Sequence, residues 1–378
     1  MEEDNYGFVF PAVDSEKCIH CNRCLKSCHM ARSDMLKQQS PQEAYGAYDC
    51  DLASLRKSAS GGVASTLCRE VIDQGGIAYG CTANREYVTH NRLTTISALD
   101  RARGSKYVQS DMSRVYKMLS VDLKSDVPIV FVGTPCQCAA VRLLFGNYGN
   151  LLLVDLVCEG VPSCKMYADF LNDLEEVQGQ SVTDFRFRDK CGGWSTKNAV
   201  VLGKDGKPLE AEPHSYYYYY YYLFAQAFIL RDSCYCCPYA SINRVGDITV
   251  GDLWGAETMG LGYSLKELRG GISCLMVNSP KGITALEKVS GKLDLRSCSV
   301  KAIACSNSCL IHPSKCNTEM RARVLNAYKT DGAAGMKREY KFMFDKKTRL
   351  RADIAADIPL LFKVAAKRAK SIMRRSAK

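Results

Sequence analysis

Residues 128–158, PIVFVGTPCQCAAVRLLFGNYGNLLLVDLVC, set the architecture of the chain. PIVFV at 128–132 is a short apolar run of strand length, GTP then turns the chain, and Cys136 to Phe145 reads as a helix. LLLVDLVC at 151–158 is apolar almost throughout, as expected of a strand covered on both faces. The same alternation extends outward. Gly61–Ile72 places Val63, Leu67 and Val71 at helical spacing, QGG at 74–76 ends that helix, and IAYGC at 77–81 follows as a strand. FRFRDK at 185–190, DITVGDLWG at 247–255 and ISCLMVNS at 272–279 add strand-like alternation. Helix and strand signals in turn predict an α/β domain with a mixed sheet.

The chain has 378 residues, of which 47% are hydrophobic and 24% charged, so it is globular rather than disordered. It contains no apolar run of the ~18 residues that a membrane span needs. The acidic N-terminus lacks the apolar core of a secretory signal. A cytoplasmic protein is therefore expected, and its twenty cysteines read as metal ligands or buried thiols rather than disulfides. Of the net charge of +11, nine resides in residues 346–378, where eleven Lys and Arg face only Asp353 and Asp357. The remaining body is close to neutral, which does not support a nucleic-acid-binding surface. Four parts follow: a cysteine-dense segment at 1–35, a polar connector at 36–56, a main body at 57–330, and a basic helical tail at 331–378.

Cys18, Cys21, Cys24 and Cys28 form C-x2-C-x2-C-x3-C. A tight loop of this spacing turns three thiolates toward three corners of one cubane, so a ferredoxin-like 4Fe-4S segment is expected. Zinc, which favours two CxxC pairs separated by a longer loop, is the alternative, with a thiol-based structural or sensor protein as its consequence. His29 stands where bacterial ferredoxins usually have proline, and no second motif is present to exchange fourth ligands. The fourth ligand is then Cys28 itself or a distant thiol among Cys50, Cys305, Cys309 and Cys316.

Three glycine-bearing loops, SASGG at 58–62, RGSKYVQS at 103–110 and GTPCQ at 133–137, are each suited to bringing backbone amides near a phosphate. No GxGxxG with a following acidic residue occurs, so a Rossmann dinucleotide site is not expected. Taken in order with VDLVCEGVPS, FRFRDKCGGW, SCYCCPYA and GDITVGDLWG, however, these segments resemble the beta subunit of coenzyme F420 hydrogenase/dehydrogenase over roughly residues 15–280. The resemblance implies an FAD enzyme with iron–sulfur clusters. It implies that Cys136, Cys158, Cys234 and Cys237 ligate an internal cluster beside the flavin. It also carries FAD contacts onto Ser60, Gly61, Gly62, Gly104, Ser105, Lys106, Gly133, Thr134, Pro135, Gln137 and Asp252, with Lys106 at the diphosphate or the flavin ring. Cys136 and Cys158 independently sit at the C-terminal ends of predicted strands, the usual ligand edge of an α/β sheet.

Many relatives have histidine where this chain has Glu159, so a carboxyl group is the candidate proton donor. The seven tyrosines Tyr216–Tyr222 are expected on a helix, packed with a wet rim. In the tail, Ile358, Leu361, Phe362, Ala365, Ala369 and Ile372 oppose Lys363, Lys367, Lys370 and Arg374. That pattern reads as peripheral membrane contact, or as a solvated helix or a contact with an acidic partner. The function expected is flavin-mediated hydride and electron transfer coupled to clusters. The exchange partner would be ferredoxin, F420 or another hydride carrier, or a partner subunit. The alternative is an electron-transfer subunit without a substrate site of its own.

Overall fold

The computed structural model describes residues 1–350 apart from 86, 195–197 and 213, and beyond them residues 362, 364–366 and 369. The expected pattern of the tail lies largely outside the described residues. The described residues form twelve strands: β1 Glu2–Glu3, β2 Val9–Phe10, β3 Glu43–Asp49, β4 Ile77–Ala83, β5 Val88–Leu93, β6 Ile129–Gly133, β7 Leu151–Leu156, β8 Val182–Asp189, β9 Asn198–Gly203, β10 Ile248–Asp252, β11 Ser273–Val277 and β12 Leu293–Ser297. Eight of them make one mixed sheet in the order β12-β3-β11-β10-β7-β6-β4-β5. Its centre, β4, β6, β7 and β10, is parallel. β5 joins one side antiparallel, and β11, β3 and β12 join the other.

Side-chain alternation explains why β6 and most of β7 are apolar on successive residues. Ile129 and Phe131 of β6 face one core with Leu151 and Leu153 of β7, against helices Val115–Asp122 and Pro135–Phe145. Val130 and Val154 face the other core, with Leu67 and Leu286 from helices Val63–Asp73 and Pro280–Val289. Helix Pro135–Phe145 begins sharply because Pro135 stands in its first turn and Thr134 and Gln137 form a reciprocal capping box.

Two expected boundaries are corrected. The stretch 36–56 is no mere connector: β3 pairs with both β11 and β12 inside the sheet, burying Ala44 and Ala47. Its polar flanks hide an inward-facing strand whose small residues fit a crowded interior. The boundary at 330 falls within helix Thr318–Met343, which bends at Gly332 (φ 56°) and buries Met336 against a further core. The tail therefore starts inside the folded body.

That further core joins helix Cys164–Gln178, the β8–β9 hairpin and the tyrosine run. The run divides into a 3₁₀ turn, Ser215–Tyr217, and helix Tyr219–Ala225, with Tyr218 to Tyr221 buried. Phe185 sits 5.0 Å from Phe170 and 4.8 Å from Tyr218, both edge-to-face. Among the described residues no helix is long and apolar enough to cross a membrane.

At the sheet centre, Arg244 and Asp155 form an ion pair with both side chains almost fully buried. Arg244 donates from Nε and Nη2 to Asp155 Oδ1 at 3.2 and 2.9 Å, and to the carbonyls of Tyr239, Ser241 and Leu156. Thr249 Oγ1 and the Gly246 N–H fill the rest of the carboxylate at 2.7 and 2.8 Å. Removing one partner of such a pair leaves a buried charge without compensation. Arg244→Met is expected to destabilise the chain by about 3–5 kcal/mol. Urea unfolding followed by circular dichroism measures it, and a loss under about 1 kcal/mol would show that water reaches the pair.

Candidate functional site

A cavity of about 520 Å³ opens at the C-terminal edge of the parallel strands. The strand ends supply Cys81, Val132 and Gly133, Leu156 to Val161, and Val250 to Asp252. Loops 58–65 and 102–108 supply a second wall, and Tyr216, Tyr221, Phe224 and Trp254 the aromatic remainder. This is the edge where open α/β sheets bind ligands, because strand-to-helix loops diverge there.

Most residues expected to contact a cofactor meet in this cavity: Ser60, Gly62, Gly104, Ser105, Lys106, Gly133, Thr134, Gln137 and Asp252 line it, as does Glu159. Gly61 and Pro135 are not part of the lining. A Cβ on Gly61 would stand 2.1 Å from the Ala47 carbonyl and 2.5 Å from the Ser273 nitrogen, so this glycine lets the loop close on β3 and β11. Pro135 is buried at the start of its helix. Lys106 lines the wall, but Nζ donates to the carbonyls of Ala102, Arg103 and Gly104 at 2.7, 2.8 and 3.2 Å. Its ammonium closes the end of helix Ile96–Ala102 instead of reaching for a phosphate. Gln137 is likewise engaged, accepting from the Thr134 N–H at 2.9 Å and donating to Ser110 Oγ at 2.8 Å.

Several lining groups were not singled out by the sequence. His90 is buried, with Nδ1 2.8 Å from Ser110 Oγ and Nε2 3.1 Å from the Val132 carbonyl. Because the Val132 carbonyl can only accept, Nε2 carries the proton and donates to it, and Nδ1 of the neutral ring accepts from Ser110 Oγ. Burial pulls the imidazole down to about 4, so it is neutral at pH 7. Arg188 reaches the cavity from β8. Its Nη1 donates to Asp252 Oδ2 at 3.0 Å and to the Tyr107 hydroxyl at 3.4 Å. Asp252 Oδ1 receives Trp194 Nε1 at 2.9 Å, and Trp194 stacks on Trp254 with centroids 4.9 Å apart. His90 lies in no motif, and the segment FRFRDKCGGW that holds Arg188 does not by its spacing tell which of its arginines is buried.

The four internal cysteines converge from three segments. Cys136 is the second residue of helix Pro135–Phe145, Cys158 follows β7, and Cys234 and Cys237 lie in and after the 3₁₀ turn Asp232–Cys236. Backbone bonds from Arg231 N–H to Val161 and from Cys234 N–H to Arg231, both 2.9 Å, pin that turn beside Cys158. Burial first, then the neighbouring thiols, raise these cysteines: Cys158 feels Cys136, Cys234 and Cys237, Cys234 (up to about 12) feels Cys136 and Cys237, and Cys237 feels Cys136. Each thiol thus lies within electrostatic range of the other three. Among the described residues no group of three or more His, Cys, Asp or Glu is gathered closely enough to hold a metal ion. Cys138 packs below with Sγ 3.6 Å from the Val154 carbonyl, and Cys236 is exposed.

Cys18 and Cys21 lie on a loop, Cys24 in the short helix Arg23–Ser27 and Cys28 at its C-terminal end, with Cys21 and Cys24 exposed. His20 (φ 53°) and Asn22 (φ 56°) take left-handed conformations on either side of Cys21, winding the chain tightly there. The loop's end docks on the body: the Tyr239 hydroxyl donates to the His29 carbonyl at 2.7 Å. Tyr239 in turn feels Cys136, Cys237 and Cys28. Of the distant thiols, Cys309 lines the cavity, whereas Cys50 sits beside β12 with its N–H on the Lys292 carbonyl.

The neutral His90 has a pH consequence. Unfolded, it takes a proton below about 6.5; folded, only below about 4. Between those values the unfolded chain binds more protons, so stability falls as pH falls. This group alone is expected to remove up to about 3 kcal/mol by pH 4. His90→Gln should flatten the stability profile between pH 7 and 4.5, and an unchanged slope would show that the imidazole is hydrated.

Residues 127–301 match the family model for the C-terminal part of the beta subunit of coenzyme F420 hydrogenase/dehydrogenase. That span holds Cys136, Cys158, Cys234, Cys237, Arg188 and Asp252. No curated protein matches this chain. Among solved structures, a chain of the F420-reducing NiFe hydrogenase complex from Methanosarcina barkeri, in a study of its xenon derivatization, is similar at 16% identity and a TM-score of 0.47, over 82% of this chain and 95% of that one. Residues 127–301, a little under half of the chain, are thus similar to the coenzyme F420 hydrogenase/dehydrogenase beta-subunit family.

Proposed function

We propose that this chain is an FAD-dependent iron–sulfur oxidoreductase whose cavity holds the flavin and whose thiols Cys136, Cys158, Cys234 and Cys237 hold a 4Fe-4S cluster next to it. One observation carries this reading: Cys158 belongs both to the thiol tetrad and to the cavity wall. A group bound by the tetrad therefore adjoins a ligand in the cavity. The donor set fits in kind, since four thiols within electrostatic range of one another are the ligand type that holds a cubane. The cavity fits as well, because its size lies within the range of small-molecule sites and its wall mixes aromatic faces with polar and charged side chains.

When bound, the flavin would supply hydride exchange with an organic substrate and the clusters single-electron transfer. The chain's residues supply the surroundings. The Gly62–Ser65 start of helix Val63–Asp73, which no side chain caps, offers backbone N–H groups to a phosphate. Tyr221, Phe224 and Trp254 exclude water from the ring. Glu159, exposed at the rim, is the group assigned to deliver a proton to the substrate. The loop of Cys18, Cys21, Cys24 and Cys28 would hold a second cluster, joined to the tetrad's surroundings through Tyr239 and His29. Electrons would leave toward ferredoxin, F420 or another hydride carrier, or a partner subunit.

Anaerobic purification with iron, sulfide and FAD quantification tests the reading. The parent chain is expected to carry two clusters and one flavin, and Cys158→Ser to lose about half the iron. Cys236→Ser, in the same turn but exposed, should keep it. Zinc without iron, or full iron in Cys158→Ser, would contradict the assignment. Clusters and flavin without turnover of any hydride donor until a partner is added would favour the electron-transfer subunit.

A further inference from the structure

Regular alternation along β8 would turn Arg188 outward with Arg186, since Phe185 and Phe187 face the core. It is buried instead. Between Arg186 and Asp189 the pairing with β9 slips: Arg186 stands opposite Val200 and Asp189 opposite Asn198, so β8 carries one extra residue. Such a bulge re-aims a side chain, and here it sends a guanidinium into the cavity wall with 4% of its side chain exposed.

Arg188 is held on one side only. Nη1 is engaged by Asp252 and Tyr107, and the guanidinium carbon lies 5.1 Å from the centre of the Trp254 ring. Nη2 is buried and has no hydrogen-bond partner. A charged donor left unpaired in a dry wall is costly, and folded proteins seldom leave one without a ligand to receive. The cavity's uncapped helix N-terminus, at Gly62 to Ser65, is a second electropositive feature of the lining. Lys190, two residues beyond Arg188, donates to the Ser60 carbonyl at 2.6 Å and ties the bulge to the loop that begins this helix.

We propose that Arg188 and the N-terminus of helix Val63–Asp73 together form an oxyanion subsite, and that the cavity's ligand presents a negatively charged oxygen to Nη2. The inference deepens the proposed function, for it rests on the cavity being the ligand site. It does not require that the ligand be a flavin. Two parts of a flavin nucleotide carry this chemistry: the diphosphate, and the edge of the ring once it bears negative charge.

Calorimetric titration of the full chain with FAD, riboflavin and inorganic pyrophosphate tests the proposal and separates the sources. Arg188→Gln is expected to weaken FAD binding roughly tenfold or more, and Arg188→Lys, which keeps the charge beside Asp252 but loses the fork, to fall between. If the diphosphate is the occupant, pyrophosphate affinity drops with FAD while riboflavin affinity holds. If the ring edge is the occupant, riboflavin and FAD weaken in parallel and pyrophosphate does not respond. A parent chain that binds pyrophosphate in an Arg188-dependent manner but takes up no flavin would uphold the subsite and defeat the flavin assignment. The proposal fails if all three affinities in folded Arg188→Gln or Arg188→Lys stay within twofold of the parent, or if the parent binds none of the probes.

Discussion

The buried pair of Arg244 and Asp155 holds the site in place. A carboxylate inside β7 would be untenable alone, and a guanidinium with 2% exposure equally so. Together they are satisfied only if the chain from Tyr239 to Thr249 wraps across the end of β7, since its carbonyls, amide and hydroxyl complete both shells. That wrapping brings the turn carrying Cys234 and Cys237 beside Cys158. A buried ion pair is a poor source of net stability, but this one specifies a single arrangement of a distant loop.

Strand order does the remaining positioning. β6, β7 and β10 end at one level, with Gly133 opposite Asp155 and Thr249 beside the same residue. Thiols from residues 136 and 158 therefore emerge side by side, and Asp252 emerges at the same edge to receive Arg188 and Trp194. The aromatic core built from the tyrosine run supports the opposite wall: Tyr220 donates to the Tyr107 carbonyl at 2.8 Å, and Tyr107 stacks on Phe224 at 4.5 Å. The seven tyrosines thus serve mainly as packing, with Tyr216 and Tyr221 reaching the ligand space.

Much of this was legible in the sequence because the signals were local. The stretch 128–158 announces strand, capped helix and strand through apolar runs and the Thr-Pro-Cys-Gln start. The cysteines announce themselves by type, and their meeting follows once the strand ends are aligned. What escaped reading depends on long-range geometry. β3 contains glycine and two alanines and lies far in sequence from its partners β11 and β12. Lys106 looked like a phosphate ligand until the helix end it closes was in place. Arg188 was invisible because a one-residue slip in β8 reverses the face that alternation predicts.

The proposed internal cluster stands or falls on four thiols from three segments meeting against the cavity. Iron-edge X-ray absorption on the anaerobic full chain, with Cys18, Cys21 and Cys24 all replaced by serine, isolates that site. All-sulfur coordination with clear iron–iron scattering is expected, lost when Cys136→Ser is added. Oxygen or nitrogen coordination, or iron without iron–iron scattering, would refute the assignment.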